Sequence, residues 1–140
     1  MTKKHFATGQ CLCGKVKYTI ASKPLYMGQC HCDDCRRTTG TGHASLAFFE
    51  KEHVQIEGKT HSYDSIADDK ATITRHFCPN CGSGVYGTGS AFPHMIAITA
   101  GCLDDSSWFK AHGIVYSKKK PVWDMMDESI PTFEESAPSH

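Results

Sequence analysis

Seven of the eight cysteines fall into three tight clusters: Cys11-Leu12-Cys13, Cys30-His31-Cys32-Asp33-Asp34-Cys35 and Cys78-Pro79-Asn80-Cys81. Thiolates one or two residues apart can converge on a single metal ion. Two pairs and one triplet divide naturally into a closed four-thiolate site and a site with three protein ligands. The closed kind holds a fold together. The three-ligand kind leaves a coordination position open, as catalytic zinc sites do.

The competing reading of eight cysteines is a set of four disulfides. Neighbours in C-x-C and C-x-x-C pairs are awkward partners for structural disulfides. The N-terminal run Met1-Thr2-Lys3-Lys4-His5-Phe6 also lacks the apolar stretch of a signal peptide. A cytoplasmic, reducing location is therefore expected, where cysteine clusters read as metal-binding or catalytic. No stretch is apolar enough to span a membrane. Lys+Arg and Asp+Glu are both 15, a formal net charge of zero, which gives no electrostatic case for nucleic acid or an anionic membrane as partner. The run Lys118-Lys119-Lys120 reads as a solvated loop.

The length predicts one domain, over residues 6–135, with 136–140 as a frayed tail rich in serine and containing Pro138. Period-two alternation predicts strands through Val16, Tyr18 and Ile20, through Ala44, Leu46 and Phe48, and through Val54 and Ile56. It predicts others through Ala71, Ile73 and Phe77, and through Ile96 and Ile98. Short strands at even spacing argue for an all-β domain. Helix is expected in two places only: a turn or two capped by Asp33 or Asp34 and stopping at Gly40, and a short segment over 124–127.

Cys78-Pro79-Asn80-Cys81-Gly82 reads as a zinc knuckle: proline shapes the turn, two thiolates point inward, and glycine follows the second ligand. Its expected partner is Cys11-Leu12-Cys13-Gly14, where glycine again follows the second cysteine. Cys30, Cys32 and Cys35 can cap one face of a second metal ion, with room for water, a substrate oxygen or an incoming thiol. The alternative is a second structural site completed by a distant ligand, Cys102 or a histidine. Thiolate-only ligands favour zinc. Cys102 stands alone and reads as a small core residue. His31 lies between ligands, so its ring must point away from the metal, where a supporting or substrate-binding role is open to it. Arg36 and Arg37 follow the triplet and could bind a substrate carboxylate or simply be solvated.

Three stretches together carry a resemblance: Gly9-Gln10-Cys11-Leu12-Cys13-Gly14-Lys15-Val16-Lys17-Tyr18, Cys30 through Arg37, and Phe77-Cys78-Pro79-Asn80-Cys81-Gly82-Ser83. They resemble the glutathione-dependent formaldehyde-activating enzyme family, which also includes the centromere protein V domain. The match continues through Gly101-Cys102-Leu103-Asp104-Asp105, Ile114-Val115-Tyr116-Ser117-Lys118, Pro121-Val122-Trp123 and Pro131-Thr132-Phe133-Glu134. The resemblance implies a β-tent-like fold of several coiled, mainly antiparallel sheets. It implies a structural zinc on Cys11, Cys13, Cys78 and Cys81 and a second zinc on Cys30, Cys32 and Cys35. It also implies carbon–sulfur lyase activity, joining glutathione to formaldehyde, with a small thiol and an aldehyde as partners.

Three functions follow as expectations. The first is a zinc-dependent carbon–sulfur lyase acting on a thiol adduct of a small aldehyde. The second is a zinc-stabilised binding module without catalysis. The third is a thiol redox protein using Cys102. An open fourth position at the triplet favours the first, a fourth protein ligand the second, and a depressed, accessible Cys102 thiol the third.

Overall fold

The computed structural model describes residues 5–137. Residues 138–140 of the expected tail lie outside the described residues. The fold is mainly antiparallel β, all-β as the alternation predicts and antiparallel as the resemblance implies, built from two sheets.

The smaller sheet has three strands in the order β1 (Ala7–Gln10), β2 (Lys17–Ile20) and β5 (Val54–Glu57). The larger contains β3 (Tyr26–Cys30), β4 (Ala44–Glu50), β6 (His61–Ile66), β7 (Thr72–Phe77), β8 (Gly84–Gly89), β9 (Met95–Thr99) and β10 (Gly113–Val115). Its order is β10-β3-β4-β9-β8-β7-β6, antiparallel except where β10 runs parallel to β3.

The core lies between the smaller sheet and one face of the larger. Val16, Tyr18 and Ile20 pack there with Ala47 and Phe49 of β4, Val85 of β8, and Ile96 and Ile98 of β9. Burying a side chain such as Ile98 or Phe49 contributes about 1.5–3 kcal/mol. Leu46 and Phe48, on the opposite face of β4, leave this core and line a cavity. The alternation through Ala44, Leu46 and Phe48 thus marks the cavity side of the strand, and the dry core takes the intervening Ala47 and Phe49.

The first expected helix forms as α1 (Asp33–Thr39). Its cap is Cys32, whose Sγ accepts from Cys35 N, rather than Asp33 or Asp34. Gly40 ends it in the left-handed region, φ 73°, which glycine adopts without a Cβ penalty. The second expected helix does not form: 124–127 is irregular. Asp124 N closes a turn onto the Pro121 carbonyl, and the Asp124 side chain is drawn into the body of the protein. Beyond it, Glu135 accepts from Tyr116 N at 3.0 Å and pairs with Lys118 Nζ at 2.7 Å, so the chain is tied down at least that far.

Candidate metal centre and cavity

The two thiol pairs meet. Cys11 and Cys13 flank the turn after β1, and Cys78 and Cys81 form the turn between β7 and β8. Their four sulfurs lie within 4.8 Å of one another. Cys13 Sγ is 3.7 Å from both Cys11 Sγ and Cys78 Sγ. Tetrahedral zinc, with bonds to sulfur of about 2.3 Å, separates its sulfurs by about 3.8 Å, so the donor set fits that ion. A disulfide needs about 2.05 Å, and all eight cysteines are free thiols, which removes the disulfide reading.

The surroundings favour thiolates at Cys13 and Cys81, while the Cys78 thiol is shifted upward. Asn80 hydrogen-bonds the Cys13 sulfur and holds its pKa below the ordinary thiol value. The Ser83 hydroxyl, 3.3 Å from Cys81 Sγ, does the same for Cys81, bringing it to about 5. Deprotonated sulfur is what a metal binds.

The triplet is built differently. Cys30 ends β3, Cys32 caps α1, and Cys35 lies one turn into it, so β3 and α1 together aim three sulfurs at one point, all within 4.8 Å. Cys35 N donates to Cys32 Sγ at 3.2 Å. Thiol hydrogen bonds from Cys30 and Cys35 pull Cys32 down to about 2, with burial opposing and the positive charge of Arg75 adding to the pull. Donating to Cys32 pushes Cys30 up to about 11, and donating to Cys30 and Cys32 pushes the Cys35 thiol up as well. Among the described residues no fourth Cys, His, Asp or Glu joins the three.

Cys30, Cys32 and Cys35 open onto a cavity of about 1240 Å³ that none of the four paired cysteines lines. Leu46 and Phe48 of β4, Ile73, Arg75 and Phe77 of β7, and Tyr86 of β8 form much of its wall. Tyr116 and Asp68 also line it, and the Tyr116 hydroxyl donates to Asp68 at 2.8 Å.

His31 is fully buried and its ring is turned away from that cavity. Its Nδ1 donates to the Gly42 carbonyl at 2.9 Å, while Nε2 has no partner. Nearby, His43 Nδ1 donates to Asp124 Oδ2 at 2.8 Å. His31 Nδ1 also stands 3.4 Å from Asp124 Oδ2. His31, His43 and Asp124 thus form a polar cluster in which the His31 Nδ1 proton is committed to a carbonyl, leaving that nitrogen no lone pair for a metal. Gly42 makes room for this cluster, because a Cβ there would collide with the Asp124 carboxylate. Sequence reasoning assigned no role to His43 or Asp124, which are 81 positions apart.

Arg36 and Arg37 do not line the cavity. Arg36 reaches Asp33 at 3.6 Å and Arg37 is exposed. Cys102 is half-buried, donates to the Gly84 carbonyl at 3.4 Å, and has its thiol pKa raised by burial. That is the opposite of the depression a reactive thiol needs. Lys118 and Lys119 are exposed, as a solvated run should be, and pair with Glu135 and Asp33.

Residues 6–119 match the profile of the glutathione-dependent formaldehyde-activating enzyme family. The chain belongs to this family. Two relatives are provisionally named glutathione-dependent formaldehyde-activating enzymes. One, from Halomonas elongata, is 27% identical over 101 residues, covering 69% of this chain and 64% of its own length. The other, from Fusarium vanettenii, is 28% identical over 78 residues, covering 56% of this chain and 41% of its own. The chain thus matches less than two thirds of either relative. A crystal structure of a Rhodobacter sphaeroides protein shares the fold, with TM-score 0.53 over 69% of this chain and 87% of its own, at 20% identity. Among the described residues no helix is long and apolar enough to cross a membrane.

Proposed function

We propose that the chain is a zinc-dependent carbon–sulfur lyase of this family, acting on the adduct of a glutathione-like thiol and a small aldehyde. In this reading residues 6–135 form one domain with two zinc ions. Cys11, Cys13, Cys78 and Cys81 hold the first as a structural tie. Cys30, Cys32 and Cys35 hold the second at the reaction site. Bound there, zinc would stabilise a thiolate and polarise a carbonyl oxygen.

The supporting observation is the asymmetry of exposure: the triplet lines the large cavity and the four-thiolate cluster does not. The reaction needs no oxidant. The thiol sulfur forms a bond to the carbonyl carbon, the carbonyl electron pair moves to oxygen, and that oxygen takes up the proton the thiol gives up. The reverse breaks the same C–S bond. The protein's part is to bring both reactants into one cavity. Such orientation lowers a barrier by about 7–11 kcal/mol when it is complete.

Calorimetry with glutathione, in buffers of differing ionisation enthalpy, tests the reading. A thiol that binds as thiolate releases a proton, so binding should tighten as pH rises toward the thiol pKa, about 8.5. Acceleration of S-hydroxymethylglutathione formation from glutathione and formaldehyde should accompany it and vanish in Cys32→Ser. No binding of glutathione or other small thiols to zinc-loaded protein would remove the lyase reading and favour a binding module.

A further inference from the structure

β7 turns Ile73, Arg75 and Phe77 toward the cavity. Arg75 is half-buried, and its Nη1 donates to Ser65 Oγ at 2.8 Å. The other full cation of the wall, Lys119, is already held by Asp33 at 3.5 Å. Among the described residues Arg75 has no carboxylate within ion-pairing distance. One hydrogen bond to a hydroxyl leaves most of the guanidinium fork unused, and the negative group nearest to it in the cavity is the Cys32 sulfur rather than a carboxylate.

The neighbours leave the guanidinium accessible. Across the ladder, Arg75 is in register with Tyr63 on β6 and Gly87 on β8. Gly87 has no side chain to lay over it, and a Cβ there would meet only the Thr74 carbonyl, at 3.4 Å. Cys30, Cys32 and Cys35 line the same cavity. An anionic thiol entering to meet the triplet therefore shares its space with a planar cation that no carboxylate holds.

We propose that Arg75 is a carboxylate-binding subsite of this cavity, so that the site selects thiols carrying an acidic group over neutral thiols. This rests on the thiol–aldehyde reading of the triplet. The arginine fork matches a carboxylate through two parallel N–H···O bonds, which fixes orientation as well as affinity. That is the handle needed to present one sulfur to the triplet reproducibly.

The probe is S-methylglutathione, which keeps both carboxylates but cannot become a thiolate. By calorimetry it should bind the zinc-loaded protein, and its dimethyl ester should bind about 10- to 100-fold more weakly. Arg75→Gln should impose a similar loss on the acid and leave the ester unchanged, with zinc content and melting temperature preserved. Arg75→Lys should recover part of the loss, since it keeps the charge without the fork. Equal affinity for acid and ester, no binding of S-methylglutathione, or undiminished binding by Arg75→Gln would each overturn the subsite. If Arg75→Gln fails to fold, the acid–ester comparison on the unaltered protein still decides. The lyase reading is scored separately, by adduct formation. Acid–ester discrimination without adduct formation leaves the subsite standing and removes the lyase. Adduct formation that is equally fast with glutathione and its diester does the reverse.

Discussion

The two cysteine clusters use the same two spacings and put them to different ends. At one, a C-x-C pair and a C-x-x-C pair arrive from turns 65 positions apart. At the other, the same spacings are fused, with Cys32 serving both, within a single strand-to-helix junction. The first cluster exists only once the chain has folded. A metal there ties the N-terminal strand to the turn between β7 and β8. The second is assembled by local chain geometry and faces a cavity. In the proposed reading, sequence distance between ligands separates a metal that would stabilise the fold from one that would be free to serve chemistry.

The largest expected effect breaks or confirms that contrast directly. Cys81→Ser should unfold or precipitate the protein, because structural zinc contributes on the order of 10 kcal/mol or more to folding. Cys32→Ser should stay folded and lose one of about two zinc ions, the number implied by the two ligand sets. Thermal melts with elemental analysis decide between these outcomes, and equally severe destabilisation would make both sites structural.

A smaller effect sharpens the contrast within one strand. Phe49 is fully buried between the sheets, whereas Phe48 lines the cavity. Phe49→Ala should cost about 3–5 kcal/mol in a denaturant titration. Phe48→Ala should cost well under that and act mainly on thiol affinity. Similar losses for the two would mean that the cavity face is a second core.

Much of this was readable beforehand because it depends on local pattern. Cysteine spacing announced both clusters, and Gly40 announced the end of α1. Alternation marked β2, β4, β5, β7 and β9. It missed β1, β3, β6, β8 and β10, and for the last three the physical reason is plain. β6 is exposed along nearly its whole length, so no apolar period appears. β8 reads Gly-Val-Tyr-Gly-Thr-Gly, and its glycines interrupt the alternation. β10 is three residues long and depends on β3 for its pairing. The site's long-range partners were illegible for another reason. Nothing local distinguishes Arg75 from any strand arginine, and Asp124 acquires meaning only when the chain folds it against His43.

That contact carries the next prediction. Asp124→Ala leaves the half-buried His43 Nδ1–H without its acceptor, at a cost of about 1 kcal/mol by chemical denaturation. Zinc content should be unchanged, because the network lies beside the triplet and contributes no ligand to it. Loss of the second zinc would instead make the network part of that metal site.

The smallest effect concerns the contact between Tyr116 and Asp68. Donation to the Asp68 carboxylate raises the Tyr116 phenol to about 12, above its ordinary value of 10.0. A raised pKa means the folded state holds the proton more tightly. The stabilisation is complete below the unfolded value and is lost as pH rises from 10.0 toward about 12. Tyr116→Phe should flatten stability against pH in that window, measured by thermal melts. An unchanged slope would show that the hydrogen bond contributes nothing at this rim of the cavity.

The alternation along β4 also bears on how such a protein can diversify. Leu46 and Phe48 project toward the cavity while Ala47 and Phe49 project into the dry interior. Selectivity and cohesion are therefore written on alternate letters of one strand. A lineage can exchange the first set to accommodate new substrates without touching the second. A one-residue insertion in this strand would swap the two roles, so drift here should proceed by substitution and very rarely by insertion or deletion.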